Sequence, residues 1–200
     1  MPDRPLRADA RRNRDRVLAA ARAAFGESGY GVPLDEIAAR AGVGPGTVYR
    51  HFPTKEALFE AVALTRVQDL VADVRERAAA ADVGAAFDGF LTRLAEEAVV
   101  KRDLPDALAG TGATGMAETV ADLHEALGAL LDRAQQAGAV RPDIGVADLV
   151  ALFKGLLHVV RESDDPGLHG RVLAVLRDGL RRPSEARIRL STDTQRASGR

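Results

Sequence analysis

The 200-residue chain contains no cysteine, which excludes both a disulfide framework and a thiolate metal site. It has no apolar run approaching the roughly 20 residues that cross a bilayer, and its first residues, "MPDRPLRADARRNRDR", lack the apolar core of a signal peptide. The expectation is a cytoplasmic protein with no membrane partner. Aromatic residues are scarce, at 4%. The four histidines, His51, His124, His158 and His169, form no HExxH pair or other metal spacing. Neither a G-x-S-x-G elbow nor a GxxxxGK(S/T) phosphate cradle occurs, and the glycine cluster "GVGPG" follows no strand. Neither an enzyme nor a cofactor is expected.

What the chain does contain is helix signal along almost its whole length. Hydrophobic residues make up 46%, enough for a sizeable core. Apolar positions recur at three- and four-residue spacing, with no convincing alternation. The predicted fold class is all-α, with about nine helices arranged as a three-helix N-terminal head and a helical C-terminal body. The net charge of −1 hides an imbalance, because residues 1–16 carry six arginines against three aspartates. Residues 1–9 are expected to be a flexible basic arm of the kind that meets phosphate.

The first helix is expected from about Ala10 to Ser28, with Val17, Leu18, Ala21 and Phe25 on one face and Gly29 beyond its end. The second runs near Leu34 to Ala41, with Asp35 and Glu36 in the first turn, where the helix dipole favours acids. A third, from about Pro45 to Phe52, opens on a proline suited to the first helical position and is stopped by Pro53. Thr54 is placed to cap a long fourth helix reaching about Ala80, with Ala57, Ala61, Leu64, Val67, Val71 and Val74 on its inward stripe.

Two short helices joined by "AGVGP" make a helix-turn-helix, whose second helix enters the major groove of DNA. Over residues 10–62 the chain resembles the TetR family of bacterial transcriptional regulators. The run "LDEIAARAGVGPGTVYRHFPTKEALFEAV", Leu34 to Val62, matches that family's DNA-binding signature nearly throughout. Farther on, "KRDLPDALAG" and "LLDRAQQAGAVRPDI" look like the subgroup with an SbtR-like C-terminal domain. The resemblance implies a one-component regulator, a repressor that binds a palindromic operator in double-stranded DNA as a homodimer. It also implies release by a small-molecule effector, here unknown. The boundaries that go with it are 10–55 for the DNA-binding domain, 56–182 for the regulatory and dimerisation domain, 54–80 for the connecting helix and 183–200 for a disordered tail.

Gly44 and Gly46 let the backbone approach another surface, and the amides that open the third helix at Pro45 suit a phosphate. The resemblance carries Thr47, Tyr49 and His51 over as backbone or groove contacts and Lys55 as a phosphate contact. Lys55 stands at the positive end of a helix dipole, a cost that a phosphate would relieve, or that water with Glu56 or Glu60 would screen. Arg50 has the one long side chain able to read a base, by bidentate bonds to guanine, or else it contacts a phosphate. The Thr47 methyl can meet a thymine methyl. Arg11, Arg12 and Arg14 complete the expected DNA contacts through the backbone or minor groove. Val32 and Pro33 replace the threonine or serine cap common in relatives, which removes one phosphate contact. Relatives also carry longer polar side chains where Gly44, Pro45 and Gly46 stand. That departure keeps open an alternative, a ligand-binding or scaffolding helical protein that no longer reads DNA.

In the body, Asp82 starts a helix through Val100 with Phe87, Phe90, Leu91 and Leu94 inward. Pro105 opens a short helix to Gly110, and "TGATG" breaks the chain before a helix from Met116 to Ala137 striped by Val120, Leu123, Leu127, Leu130 and Ala134. Helices at Val146–Arg161 and Pro166–Arg181 follow, the last capped by Asp165. The segment "VADLVALFKGLLHVV" is apolar nearly all round, more than one small domain hides easily. By resemblance the dimer interface is Leu149, Leu152, Leu156, Val159 and Val160 with Leu168, Val172, Val175, Leu176 and Leu180. A twofold axis would set the recognition helices about 34–36 Å apart. The effector pocket that the resemblance implies would draw on Phe87, Phe90, Leu94, Met116, Leu127, Phe153 and Leu157, with Thr114, His124 and His158 as polar handles. Such a lining favours an apolar or amphipathic ligand.

Overall fold

The computed structural model describes residues 3–99, 115–161, 163, 165 and 167–182. Among them are eight helices: α1 (Asp3–Ser28), α2 (Leu34–Ala41), α3 (Pro45–His51), α4 (Lys55–Ala78), α5 (Val83–Val99), α6 (Met116–Gln136), α7 (Val146–Arg161) and α8 (Leu168–Leu180). A single antiparallel bridge, Val140 to Arg181, ties the α6–α7 turn to the end of α8. The expected helix at 105–110, most of the "TGATG" break and the tail after residue 182 lie outside the described residues.

The helix starts and stops follow the sequence punctuation closely. Thr54 caps α4 by accepting from the Ala57 amide at 3.1 Å, and Asp82 does the same for the Ala85 amide at 2.9 Å. Gly138, at φ +72°, follows the end of α6. Two helix starts differ from expectation. Helix α1 begins at Asp3, so residues 3–9 are helical where a flexible arm was expected. Arginine and alanine are good helix formers, and Asp9 pairs with Arg12 one turn on. Helix α8 begins at Leu168, and Asp165 acts one step earlier, accepting from the Gly167 amide at 2.8 Å and pairing with Arg171 at 2.5 Å.

Two hydrophobic cores share α4. In the head, Val17, Ala21 and Phe25 of α1 meet Ile37 and Ala38 of α2, Val48 of α3, Phe52, and Leu58, Phe59 and Val62 from the first turns of α4. In the body, Val74 near the other end of α4 packs with Phe87, Phe90 and Leu91 of α5, Leu127, Leu130 and Leu131 of α6, Leu149 and Phe153 of α7, and Leu173 and Leu180 of α8. This division explains why the inward stripe of α4 departs from the expected one. Its buried residues are Leu58, Phe59, Val62, Ala63, Val71 and Val74, whereas Ala57, Ala61, Leu64 and Val67 are half-buried. A helix serving two cores in succession turns a different face to each.

Polar contacts fix both joints of this shared helix. Arg22 of α1 pairs with Asp69 of α4. Asp73, also on α4, holds Arg77 at 2.8 Å and Arg93 of α5 at 2.7 Å. Arg77 also donates to the Ala86 carbonyl at 3.3 Å. No described helix is long and apolar enough to cross a membrane.

Candidate nucleic-acid interface

The turn between α2 and α3 is built on one glycine that the backbone requires. Gly42 has φ +62°, the left-handed region, and its amide and that of Val43 return to the carbonyls of Ala39 and Ala38. That pair of bonds is a Schellman ending, which seals α2 and reverses the chain. Arg16 of α1 donates to the Gly42 carbonyl at 3.1 Å, locking the first helix to the turn. Val32 is buried in the head core, and Pro33 at the start of α2 offers no side-chain cap.

Gly44 and Gly46 are different. A methyl group built on either would meet nothing within 4 Å. Neither glycine is demanded by packing inside the chain, and both stand exposed with Pro45 at the start of α3. The bare edge of the recognition helix therefore faces outward.

Beneath it, Val48 and Phe52 anchor α3 in the head core, both nearly inaccessible. With those residues inward, the outer face carries Tyr49 and Arg50. Tyr49 is 49% exposed. Thr47 and His51 flank them half-buried, and the His51 ring lies 6.3 Å from that of Phe52.

Lys55, the first residue of α4, has a partner the sequence did not reveal. Its Nζ lies 4.7 Å from the centre of the Tyr30 ring. Tyr30 in turn stacks on Phe25, meets Phe59 edge-on and donates its hydroxyl to Glu56 Oε1 at 2.7 Å. Burial, and then that bond to Glu56, push the Tyr30 phenol up to about 12. The same bond, followed by backbone and Thr54 hydrogen bonds, holds the Glu56 carboxyl below its ordinary value. A cation in the first turn costs about 0.3–1 kcal/mol, and a ring face returns about 0.5–1 kcal/mol at a surface site. Tyr30 therefore offsets the unfavourable position of Lys55 without DNA. The other signal in the sequence, an aromatic just after Gly29, was too general to single Tyr30 out.

Arg11, Arg12 and Arg14, the arginines expected to contact DNA, project from the first half of α1. Arg11 and Arg12 are exposed, Arg12 beside Asp9, and the Arg14 guanidinium lies 5.5 Å from the centre of the Phe52 ring. That contact brings Arg14 next to the end of α3.

In the body, Phe87, Phe90, Met116, Leu127 and Phe153 are buried and Leu94 half-buried, with the Phe90 and Phe153 rings packed edge-on at 6.0 Å. Phe87, Phe90, Leu127 and Phe153 belong to the body core and Leu94 packs against it, whereas Met116 is buried outside that cluster. His124 and His158, expected as polar handles, are exposed. Thr114 and the Leu157 side chain lie outside the described residues. Of the expected interface, Leu149, Leu156 and Leu180 are interior to a single chain. An all-round apolar helix buries one face in its own core and offers the other. The offered residues are Leu152 and Val159 on α7 and Val175 on α8, the last 73% exposed, with Leu168, Val172 and Leu176 half-buried beside them. The Val160 side chain is outside the described residues.

A recognition helix held outward on a three-helix head, joined through one long helix to a separate helical core, defines a helix-turn-helix DNA-binding transcriptional regulator. Residues 17–62 match the family model described as bacterial regulatory proteins, tetR family, and residues 82–182 match that of the SbtR-like transcriptional regulator C-terminal domain. The HTH-type transcriptional repressor Rv1474c of Mycobacterium tuberculosis is 30% identical over 184 residues, covering 84% of this chain and 93% of that protein. A TetR transcription regulatory protein from Mycobacterium vanbaalenii is similar in structure, with TM-score 0.69 and 45% identity over 88% of this chain and 99% of that one. The TetR transcriptional regulator SCO0520 from Streptomyces coelicolor gives TM-score 0.70 and 36% identity over 86% and 99%. The chain belongs to the TetR family of bacterial transcriptional regulators.

Proposed function

We propose that the protein is a repressor that binds a roughly palindromic operator as a homodimer and lets go when a small molecule occupies its helical body. The observation that carries this reading is the outer face of α3. Tyr49 and Arg50 stand out from it, and the bare Gly44–Pro45–Gly46 edge lies where no intramolecular packing requires glycine. Tyr49, Lys55, Thr47 and His51 serve as backbone or groove contacts, and Arg50 reads a base or a phosphate. Arg11, Arg12 and Arg14 add cationic contacts beside α3. Few groups on α3 can read bases, so phosphate contact supplies most of the affinity, which predicts a steep dependence on salt.

Dimerisation through α7 and α8 is supported by the apolar residues Leu152, Val159 and Val175 left outside the core. A twofold pairing there would put two copies of α3 on successive turns of one DNA face. Helix α4 enters both cores, so a ligand that prefers one arrangement of the body changes the spacing of the heads. Its effect on DNA affinity equals its differential affinity for the two arrangements.

The test is selection of bound duplexes from a random DNA pool by the purified protein at two salt concentrations. A recovered palindrome with half-sites one helical turn apart supports the reading. Weak, sequence-independent retention overturns it.

A further inference from the structure

A cleft of about 330 Å³ opens in the body, away from most of the residues expected to hold an effector. It lies between the first turns of α5, the α6–α7 turn and the C-terminal end of α8. Its floor is apolar, made by Phe87 and Leu91 of α5 with Val140 and Leu180. Its rim is cationic, with Arg177, Arg181 and Arg182 set against the one carboxylate of Asp88. Three guanidiniums against one carboxylate leave two positive charges in excess.

Asp88 forms long ion pairs with two of these guanidiniums. Its oxygens lie 3.9 Å from Arg177 Nε and 3.8 Å from Arg181 Nη2, both beyond hydrogen-bond range. Arg177 is held in place through Nη2, which donates to the Asp88 carbonyl at 2.8 Å and to the Thr92 hydroxyl. Its Nε is buried and has no acceptor among the described residues, although the side chain as a whole is 29% exposed. The carbonyls at the end of α8 are already covered. The Arg141 amide donates to Leu180 at 2.9 Å and Arg141 Nη1 to Gly179 at 3.3 Å. The negative end of that helix dipole is thus partly masked from an incoming anion.

We propose that this cleft binds a small amphipathic acid, its anionic head on Arg177, Arg181 and Arg182 and its apolar part on Phe87, Leu91, Val140 and Leu180. The volume is at the small end of the range of about 300–1,000 Å³ that holds drug-sized ligands, which suits a short-chain or single-ring acid. The binding stands on the cleft alone; its role as the effector rests on the regulatory reading above. Because the cleft is bounded by α5 and α8, an occupant would touch both the helix next to α4 and a helix of the proposed dimer face.

The experiment is calorimetric titration of the full chain with hexanoate, 1-hexanol and inorganic phosphate, alongside operator binding by the same preparations. Hexanoate is expected to bind at least about tenfold more tightly than either other probe, since only it uses both head and floor. The double variant Arg181→Gln, Arg182→Gln changes two exposed side chains. It should weaken hexanoate about tenfold or more by removing charge-assisted bonds. Equal binding of hexanol, equal binding of phosphate, undiminished binding by the double variant, or no binding at all would each overturn the inference. Operator binding that persists in any of those cases leaves the regulator reading standing. Its loss in the unaltered protein would instead count against that reading.

Discussion

At the scale of single residues, the head separates groups that build it from groups it holds out. Val48 and Phe52 face inward, so changing them would unfold the platform and say little about DNA. Tyr49 is exposed on α3, and Lys55 opens α4 half-buried, its ammonium over the Tyr30 ring. Truncating either to alanine is expected to weaken operator binding by about tenfold, typical of one lost charge-assisted or aromatic contact. The circular dichroism spectrum and oligomeric state should stay unchanged, and a gel-shift titration beside those two measurements checks both halves of the prediction. Tyr30 gives a second prediction. Its phenol titrates ordinarily at 10.0 and is pushed to about 12 in the folded chain. Between those values the folded state keeps a proton that the unfolded state has lost, so stability falls as pH rises through that window. Urea midpoints measured on either side of pH 10 should show a smaller alkaline loss in Tyr30→Phe than in the unaltered protein.

At the scale of elements, the α2–α3 turn is the most demanding piece of backbone. Gly42→Ala places a Cβ at positive φ and 2.5 Å from the Arg16 guanidinium, which must swing away and give up its bond to the turn. A loss of about 1–2 kcal/mol is expected from the backbone alone, measurable as a lowered denaturation midpoint. Gly44→Ala should leave that midpoint nearly unchanged because the position is open, and Gly46→Ala, inside α3 and equally open, should raise stability by up to about 1 kcal/mol. The helices of the head were legible because Pro45, Pro53, Gly42 and Thr54 punctuate them in ways that local backbone chemistry dictates. The contact between Tyr30 and Lys55 was not legible. It joins residues across α2 and α3, and no periodicity points from one to the other. The start of α1 was misread for a related reason, since a dense arginine run reads as a solvated arm until the Asp9–Arg12 pair and helix propensity are weighed together.

For the whole molecule, the chain's pattern announced two layers of function but not which faces serve them. In α7 the apolar residues surround the axis, and only the fold shows that Leu149 and Leu156 are spent on one chain's core while Leu152 and Val159 are left outside. The cationic cleft was equally hidden, because Arg177, Arg181 and Arg182 approach Phe87 and Asp88 only in space. The exposed strip gives the last prediction. If the proposed dimer forms through this strip, replacing Val175, 73% exposed, with aspartate should shift it to monomer in sedimentation while leaving its helical content intact. Operator affinity should then fall more steeply than any single change on α3 produces, because two half-sites are no longer held together.

The sharing of α4 also bears on how this protein can be taken apart. A fragment ending where the head's own helices end, just before Lys55, would forfeit Leu58, Phe59 and Val62 and leave one wall of the head core open to water. The seam between head and body is therefore not the loop before α4 but a point within it, past Val62. A chimaera that grafts this head onto a foreign body has to carry α4 across through Val62 and splice helix to helix in phase. An error of one residue at that splice would rotate the head by about 100° relative to its new body.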